Sequence, residues 1–435
     1  MALSWAVFLR FFHLGNQSYW MDEGYTVNAT LSAIARGKTV LDSGQYYSCP
    51  TYCYPSSWLA RIFGQTNPAS FRALAVIAGS TFIIAIFLIT KKWFGRKVAA
   101  LSAFFIAFSY WQIAWSRQAR WYTLLELFFW LAIYFFWQTI SCKNNYKLLA
   151  FNIFMTILWT ALALVTHAEA YLLLPIFLLW FTLSKLHTFN FSLFIRNLVF
   201  STAVLAIFIF AIDNVFGLSY IIPLVENIKF HYSLPYYLNF YLRNYWFFVL
   251  FAIWAIFTRS KNNQSLLAYL LTSLLAYLLA FGLLTDLVHY RYLFIITPAL
   301  YILSAYGMVT VSDRIMHKLW RVVYFFVIIF VFFISGHGVL GPNVFYSLES
   351  DNPSEIKGRP YYAYTPQSNF NEAYNYVKEK KSQEDLIISS HPAFNKIFLG
   401  EPGYWLSYHY LGVKDTPLYI SPDNREYYVG AKVIQ

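Results

Sequence analysis

The sequence predicts a polytopic α-helical membrane protein. It carries about eleven transmembrane helices, then a small extracytoplasmic α/β domain at the C-terminus. Three observations lead there. Only 12% of the 435 residues are charged and 59% are hydrophobic, against about 25% charged in an ordinary soluble domain. Long apolar runs recur between short polar loops. Finally, eight of the fifteen prolines, from Pro342 to Pro422, collect in a tail with no run long enough to span.

The apolar runs place spans near 1–14, 69–90, 98–115, 121–140, 148–168, 170–184, 197–212, 245–258, 265–284, 292–311 and 322–340. The run at 148–184 reads as one hairpin or two spans, and Pro175 with the THAEAY break favours two. The first run, ALSWAVFLRFFHLG, is short for a span of about 20 residues. Either the true start lies upstream or this helix tilts into a thin bilayer, and a truncated start is the expectation. No cleavable signal pattern is read in Met1–Gly15.

Lys and Arg set the orientation. Alternate loops carry Lys91, Lys92, Arg96, Lys97, Lys143, Lys147, Lys185, Arg196, Arg259, Lys261, Arg314, Lys318 and Arg321, with Asp313 as the one acid among them. By the positive-inside rule these loops are cytoplasmic. The outer set is then 15–67, the turn 116–120, the loop 213–244, the turn 285–291 and the tail. Two domains follow: a transmembrane module over 1–340, whose first outer loop 15–67 holds surface helices, and an extracytoplasmic domain over 341–435. In the tail Phe370–Lys381 reads as an amphipathic helix and Asp385–Ser390 as a buried strand. There is no internal repeat. The net charge of +12 does not imply nucleic acid, because the basic residues punctuate apolar runs. Three cysteines are too few for a disulfide scaffold. Cys49-Pro-Thr-Tyr-Cys53 fits a small disulfide bracing an outer loop, rather than a catalytic pair.

Four constellations hold chemistry. Asp22-Glu23, in SYWMDEGYT, is a carboxylate pair fit for a general base or a metal ligand. Alternatively, Asp22 is the N-cap of a surface helix over GYTVNATLSAIARG. In WSRQARWY, Arg117 and Arg120 stand in a short outer turn against the positive-inside trend. They share a face if a helix begins there. They either bind phosphate through guanidinium forks or snorkel to headgroups. In TDLVHYRY, Arg291 stands near His289 and Asp286. It is either a third cation converging on one anion or half of a local Asp–Arg pair. In VTHAEAY, His167 and Glu169 sit in an apolar region, to bind a sugar hydroxyl, to help hold a metal, or simply to be hydrogen-bonded. Two residues apart, they would not share a helix face.

Taken together, these segments resemble a known family. HLGNQSYWMDEGYT, WSRQARWYTLLELF, VTHAEAYLLLP and HYRYLFIITPALYIL occur in the order of the motifs of the GT-C membrane glycosyltransferases. The branch is that of the protein O-mannosyltransferases and lipid A aminoarabinose transferases. NFNEAYNYVKEKKSQEDLIISS is similar to the opening of the outer domain in related bacterial enzymes. The departures are Gly24, where the family often has Ala, and the short first helix.

The resemblance implies an inverting transfer of a sugar from a polyprenyl-phosphate donor to a hydroxyl of a lipid, glycan or protein acceptor. Asp22 would be the base and Glu23 would orient the acceptor or a metal. Arg117, Arg120 and Arg291 would hold the donor phosphate. His167, Glu169, His289 and Tyr122 would line the substrate site, and the aromatic loop 213–244 could cover the lipid. Members differ on metal, so a divalent cofactor stays open. The expected setting is a bacterial inner (plasma) membrane. The rivals are a secondary transporter, a non-catalytic envelope-assembly partner, and a transferase of another GT-C branch. Charges gathered at outer helix ends, with no repeated halves, favour the enzyme over the transporter.

Overall fold

The computed structural model describes residues 2–41, 47–142, 145–185, 233–258, 263–284, 290–341, 370–382, 384–389, 393–400, 404–406, 419–420, 426–428 and 431–434. The expected span at 197–212, most of the loop 213–244, His289 and Asp286 lie outside these residues.

The chain opens with the short helix α1 (Ala2–Phe11) and two loop helices, α2 (Met21–Arg36) and α3 (Pro50–Phe63). The bundle follows: α4 (Pro68–Phe94), α5 (Arg96–Phe108), α6 (Tyr110–Ser116), α7 (Tyr122–Ser141), α8 (Tyr146–Thr166) and α9 (Leu173–Lys185). It continues with α10 (Leu234–Asn244), α11 (Trp246–Phe257), α12 (Gln264–Leu284), α13 (Thr297–Arg314) and α14 (Lys318–Ile334). Two 3₁₀ turns, Ala168–Leu172 and Tyr290–Leu293, precede α9 and α13.

Local chemistry explains several boundaries. Asn67 caps α4 by accepting from the Ala69 N–H at 2.9 Å, with Pro68 at the first helical position. Asn145 does the same for α8, accepting from the Leu148 N–H at 3.0 Å. Gly37 ends α2 with φ of 69°, a left-handed conformation that glycine adopts without a Cβ penalty. The Cys49–Cys53 disulfide, both residues fully buried, closes the first turn of α3.

Among the described residues, four helices are long and apolar enough to cross a membrane: α4, α7, α8 and the Gln264–Leu283 part of α12. The pair α10 and α11, bent by 97°, would make a fifth. The other expected spans found among the described residues are shorter or broken. The run at 98–115 divides at Ser109, because the Tyr110 N–H donates to the His337 carbonyl and the Val339 N–H to the Phe108 carbonyl. The run at 148–184 breaks at His167, where the backbone turns extended and a 3₁₀ turn follows.

The core is aromatic. Trp111, Trp115 and Trp130 are among its most buried side chains. The Trp130 indole donates to the Ile295 carbonyl at 2.9 Å, and the Tyr269 hydroxyl to the Ile133 carbonyl at 2.9 Å. Such tethers give the polar ends of large apolar side chains a partner in a dry interior. At the end of the bundle remote from α2, Lys97 meets Asp313 at 2.7 Å, both exposed. Two loops that the charge pattern assigns to one side therefore lie together.

Among the described residues, the C-terminal segment contributes α15 (Phe370–Lys380), α16 (Ala393–Leu399) and a four-stranded sheet. Its strands are β1 (Tyr404–Leu406), β2 (Tyr419–Ile420), β3 (Glu426–Tyr428) and β4 (Ala431–Ile434), in the order β1-β4-β3-β2. Strand β1 runs parallel to β4, and the other pairs are antiparallel. The helix expected at 370–381 is present. The buried strand expected at 385–390 is not: Leu386 and Ile388 are exposed, and one bridge from Ile388 to Tyr404 marks the stretch. Its apolar run records the edge of the sheet, not its centre.

Candidate active site

The acidic pair opens α2, with Trp20 as the N-cap residue. Asp22 is therefore inside the helix, and the expectation that Asp22 caps it gives way. Glu23 does the capping work: its Oε2 accepts from the Trp20 N–H at 2.8 Å. The same carboxylate forms a two-pronged pair with Arg72, Nε to Oε1 at 2.8 Å and Nη2 to Oε2 at 2.9 Å. Its Oε1 also accepts from the Ala119 N–H at 2.6 Å. Arg72 spends its remaining donors on the carbonyls of Leu14, Gln17 and Ser18. Glu23 is 1% exposed and Arg72 2%. The sequence-based expectation had Glu23 orienting an acceptor or a metal; the structure gives its oxygens to the protein.

Asp22 points elsewhere. Its Oδ2 lies 3.0 Å from Arg291 Nη1 and 3.7 Å from Arg120 Nη2. Asp22 and Arg291 each keep nearly a fifth of the side chain exposed. Arg120 is held through one nitrogen: Nη1 donates to the Asp22 carbonyl, to Thr26 Oγ1 and to the Tyr47 hydroxyl at 3.1, 2.9 and 2.8 Å. Its guanidinium sits 3.8 Å from the Trp121 ring centre, a cation–π distance. Burial works against the charge of Arg120, but Tyr47, Asp22 and Tyr122 outweigh it and hold the pKa above the ordinary arginine value. For Arg291, burial is likewise outweighed by Tyr122, Tyr292 and Asp22.

Arg117 does not join them. No helix begins at 117, so the two arginines do not share a face. Arg117 ends α6, and its Nη1 donates to the carbonyls of Leu9, Arg10 and Phe12. Those are the open carbonyls at the end of α1, which a cation satisfies well.

His167 and Glu169 do meet, because the chain leaves the helix between them. His167 Nδ1 accepts from the Glu169 N–H at 3.3 Å and lies 3.4 Å from Glu169 Oε1. The imidazole stacks on Trp121 at 5.5 Å and lies 6.1 Å from Tyr122. Burial, then the positive fields of Arg120 and Arg291, push the His167 pKa down to about 3, so the ring is neutral at working pH. Tyr47, Ser48, Trp121, Thr166, His167 and Tyr171 line a cavity of about 80 Å³. Its Tyr47–Trp121 wall is the pair that grips Arg120. Asp22, Arg120, Arg291, Tyr122, His167 and Glu169 thus form one cluster, and Arg117 stands apart. Among the described residues, no three His, Cys, Asp or Glu side chains gather as a metal-binding group.

Known structures share this arrangement of helices. The chain superposes on ArnT from Cupriavidus metallidurans bound to undecaprenyl phosphate with a TM-score of 0.62, over 93% of this chain and 85% of that one, at 13% identity. It also matches the oligosaccharyltransferase AglB from Archaeoglobus fulgidus, in complex with an inhibitory peptide and a dolichol-phosphate. There the TM-score is 0.56 and the identity 13%, over 92% of this chain and 63% of that one, so this chain spans less than two thirds of AglB. Residues 49–213 match the family model for dolichyl-phosphate-mannose-protein mannosyltransferases. The chain has the GT-C fold of the membrane glycosyltransferases. Among curated proteins, no sequence matches it.

Sequence reasoning missed one residue of this GT-C cluster's frame. Arg72 organises the whole first loop, yet it reads in sequence as one charge near the start of a long apolar helix. Like Arg117 and Arg120, it is an arginine at a helix end that goes against the charge trend, and that signal marks it.

Proposed function

We propose that this GT-C chain moves a sugar from a polyprenyl-phosphate donor to an acceptor hydroxyl on the outer face of the membrane. The observation that carries the reading is the Asp22 carboxylate set between Arg291 and Arg120, partly open to solvent, beside an aromatic cavity. The acceptor O–H gives its proton to Asp22 while its oxygen attacks the anomeric carbon. The bond from that carbon to the phosphate oxygen breaks, and the electron pair leaves with the phosphate. A phosphate needs no strong acid to depart; it needs fixed positive charge as its own charge grows. Arg120 and Arg291 supply it, prealigned by Tyr47, Trp121 and Tyr292. One displacement inverts the anomeric centre. His167 stays neutral, so it offers hydrogen bonds to sugar hydroxyls without adding to the local positive charge. Glu23, Arg72 and Arg117 shape the frame and leave the chemistry to others.

The two matched structures support a lipid-linked donor, since one holds undecaprenyl phosphate and the other dolichol-phosphate. The test is transfer in proteoliposomes from a panel of radiolabelled polyprenyl-phosphate sugars. Donor consumption by the wild type, abolished in a folded Asp22→Asn variant, is the expected result. Solute uptake with no donor consumed would move the reading to a transporter.

A further inference from the structure

We infer that Phe394 of α16 is a positioning residue for Asp22, acting through Gly24, so that the C-terminal segment helps to set the reactive geometry. The inference rests on the reading of Asp22 as the base. It starts from the residue after the acidic pair. A helical glycine is unfavourable unless something must come close, and here something does. A Cβ at position 24 would lie 2.8 Å from Phe394 Cε1, 3.1 Å from its Cδ1 and 3.5 Å from Ala393 Cβ.

Phe394 has no room to retreat. It is fully buried, with ring centres of Phe370, Phe398 and Tyr374 at 4.5, 5.9 and 6.4 Å. One turn further along α2, the Asn28 side chain donates to the Ala393 carbonyl at 2.8 Å. A separate contact joins α16 to the residues just before the acidic turn. Phe398 meets Tyr19 at 6.3 Å, and the Arg72 guanidinium that grips Glu23 lies 5.1 Å from the Tyr19 ring centre. The acidic turn is therefore held on one flank by Arg72 and the Ala119 N–H, and on the other by α16. Any shift of Phe394 moves the turn that carries Asp22. A general base tolerates little of that, since a displacement of about 1 Å can cost about 10²-fold in rate.

The experiment uses full-length protein in proteoliposomes, with kcat and donor KM measured for Gly24→Ala, Phe394→Ala and the double variant Gly24→Ala/Phe394→Leu. Backbone hydrogen exchange over residues 22–30 is followed alongside. Gly24→Ala is expected to lower kcat about tenfold or more, with KM changed less than about threefold. The double variant, whose smaller side chain makes room for the new methyl, should recover most of that loss. Phe394→Ala should lower kcat and speed exchange across the start of α2. Full kcat in Gly24→Ala, or a double variant no better than Gly24→Ala alone, overturns the inference. Wild-type protein that moves sugar from no donor overturns the enzymatic reading instead. Unchanged exchange in Phe394→Ala overturns the coupling whatever the activity.

Discussion

Asp22 and Glu23 are neighbours in the chain, and each faces arginine, but their surroundings differ. Glu23 and Arg72 share two hydrogen bonds, and backbone groups take up the other capacity named above. Water is shut out. Asp22 meets Arg291 and Arg120 through one oxygen, and the cluster opens toward solvent and a cavity. A buried pair with every partner supplied fixes a backbone; a pair with spare capacity can exchange partners with a ligand. Adjacent carboxylates can therefore carry a frame and a reaction separately, because successive helical residues point about 100° apart.

The comparison breaks most sharply at Arg72. Arg72→Ala leaves the Glu23 carboxylate buried without its cation, and a loss of about 3–5 kcal/mol is expected for such a site. Thermal unfolding in detergent and the yield of folded protein measure it. Asp22→Asn should do the opposite: transfer falls by about 10²–10⁴-fold while the unfolding temperature hardly moves. A large loss of stability in Asp22→Asn would place Asp22 with the frame. Arg291→Ala should lower kcat by about 10²–10³-fold, and Arg291→Lys should recover part of it, as a charge without the fork. For Arg117→Ala, kcat measured on the surviving folded protein should stay near wild type, while stability drops by about 1–3 kcal/mol from three carbonyls left without their donor. A tenfold loss of kcat in folded Arg117→Ala would return Arg117 to the phosphate site.

The smallest effect concerns pH. His167 is held neutral in the fold, with its pKa lowered to about 3 from an ordinary 6.5. Between those values the unfolded chain binds a proton that the folded chain does not. Stability from this group is therefore complete above about pH 6.5 and falls as pH drops toward 3, by at most about 1.4 kcal/mol per unit. His167→Gln should flatten that part of the curve. An identical slope of unfolding temperature between pH 7 and 5 in both proteins would show that His167 does not contribute.

Composition and periodicity by themselves determined that this chain is a helical membrane protein, because burying apolar runs of this length leaves few other solutions. Motif order indicated the GT-C fold, and the arginines near 120 and 291 stood out because they broke the charge trend. Local sequence also announced α2, the break at His167 and the helix at 370–380. What it could not decide was partnership. WSRQARWY does not say that Arg117 turns back to the end of α1 while Arg120 turns to Asp22, since the divergence comes from a turn where helix periodicity stops. VTHAEAY did not show His167 touching Glu169, for the same reason. Only the tertiary structure paired Glu23 with Arg72 across 49 residues and seated Phe394 on Gly24 across the length of the membrane module. Such contacts depend on how helices pack in three dimensions, and a one-dimensional pattern records which faces are apolar, not which face meets which.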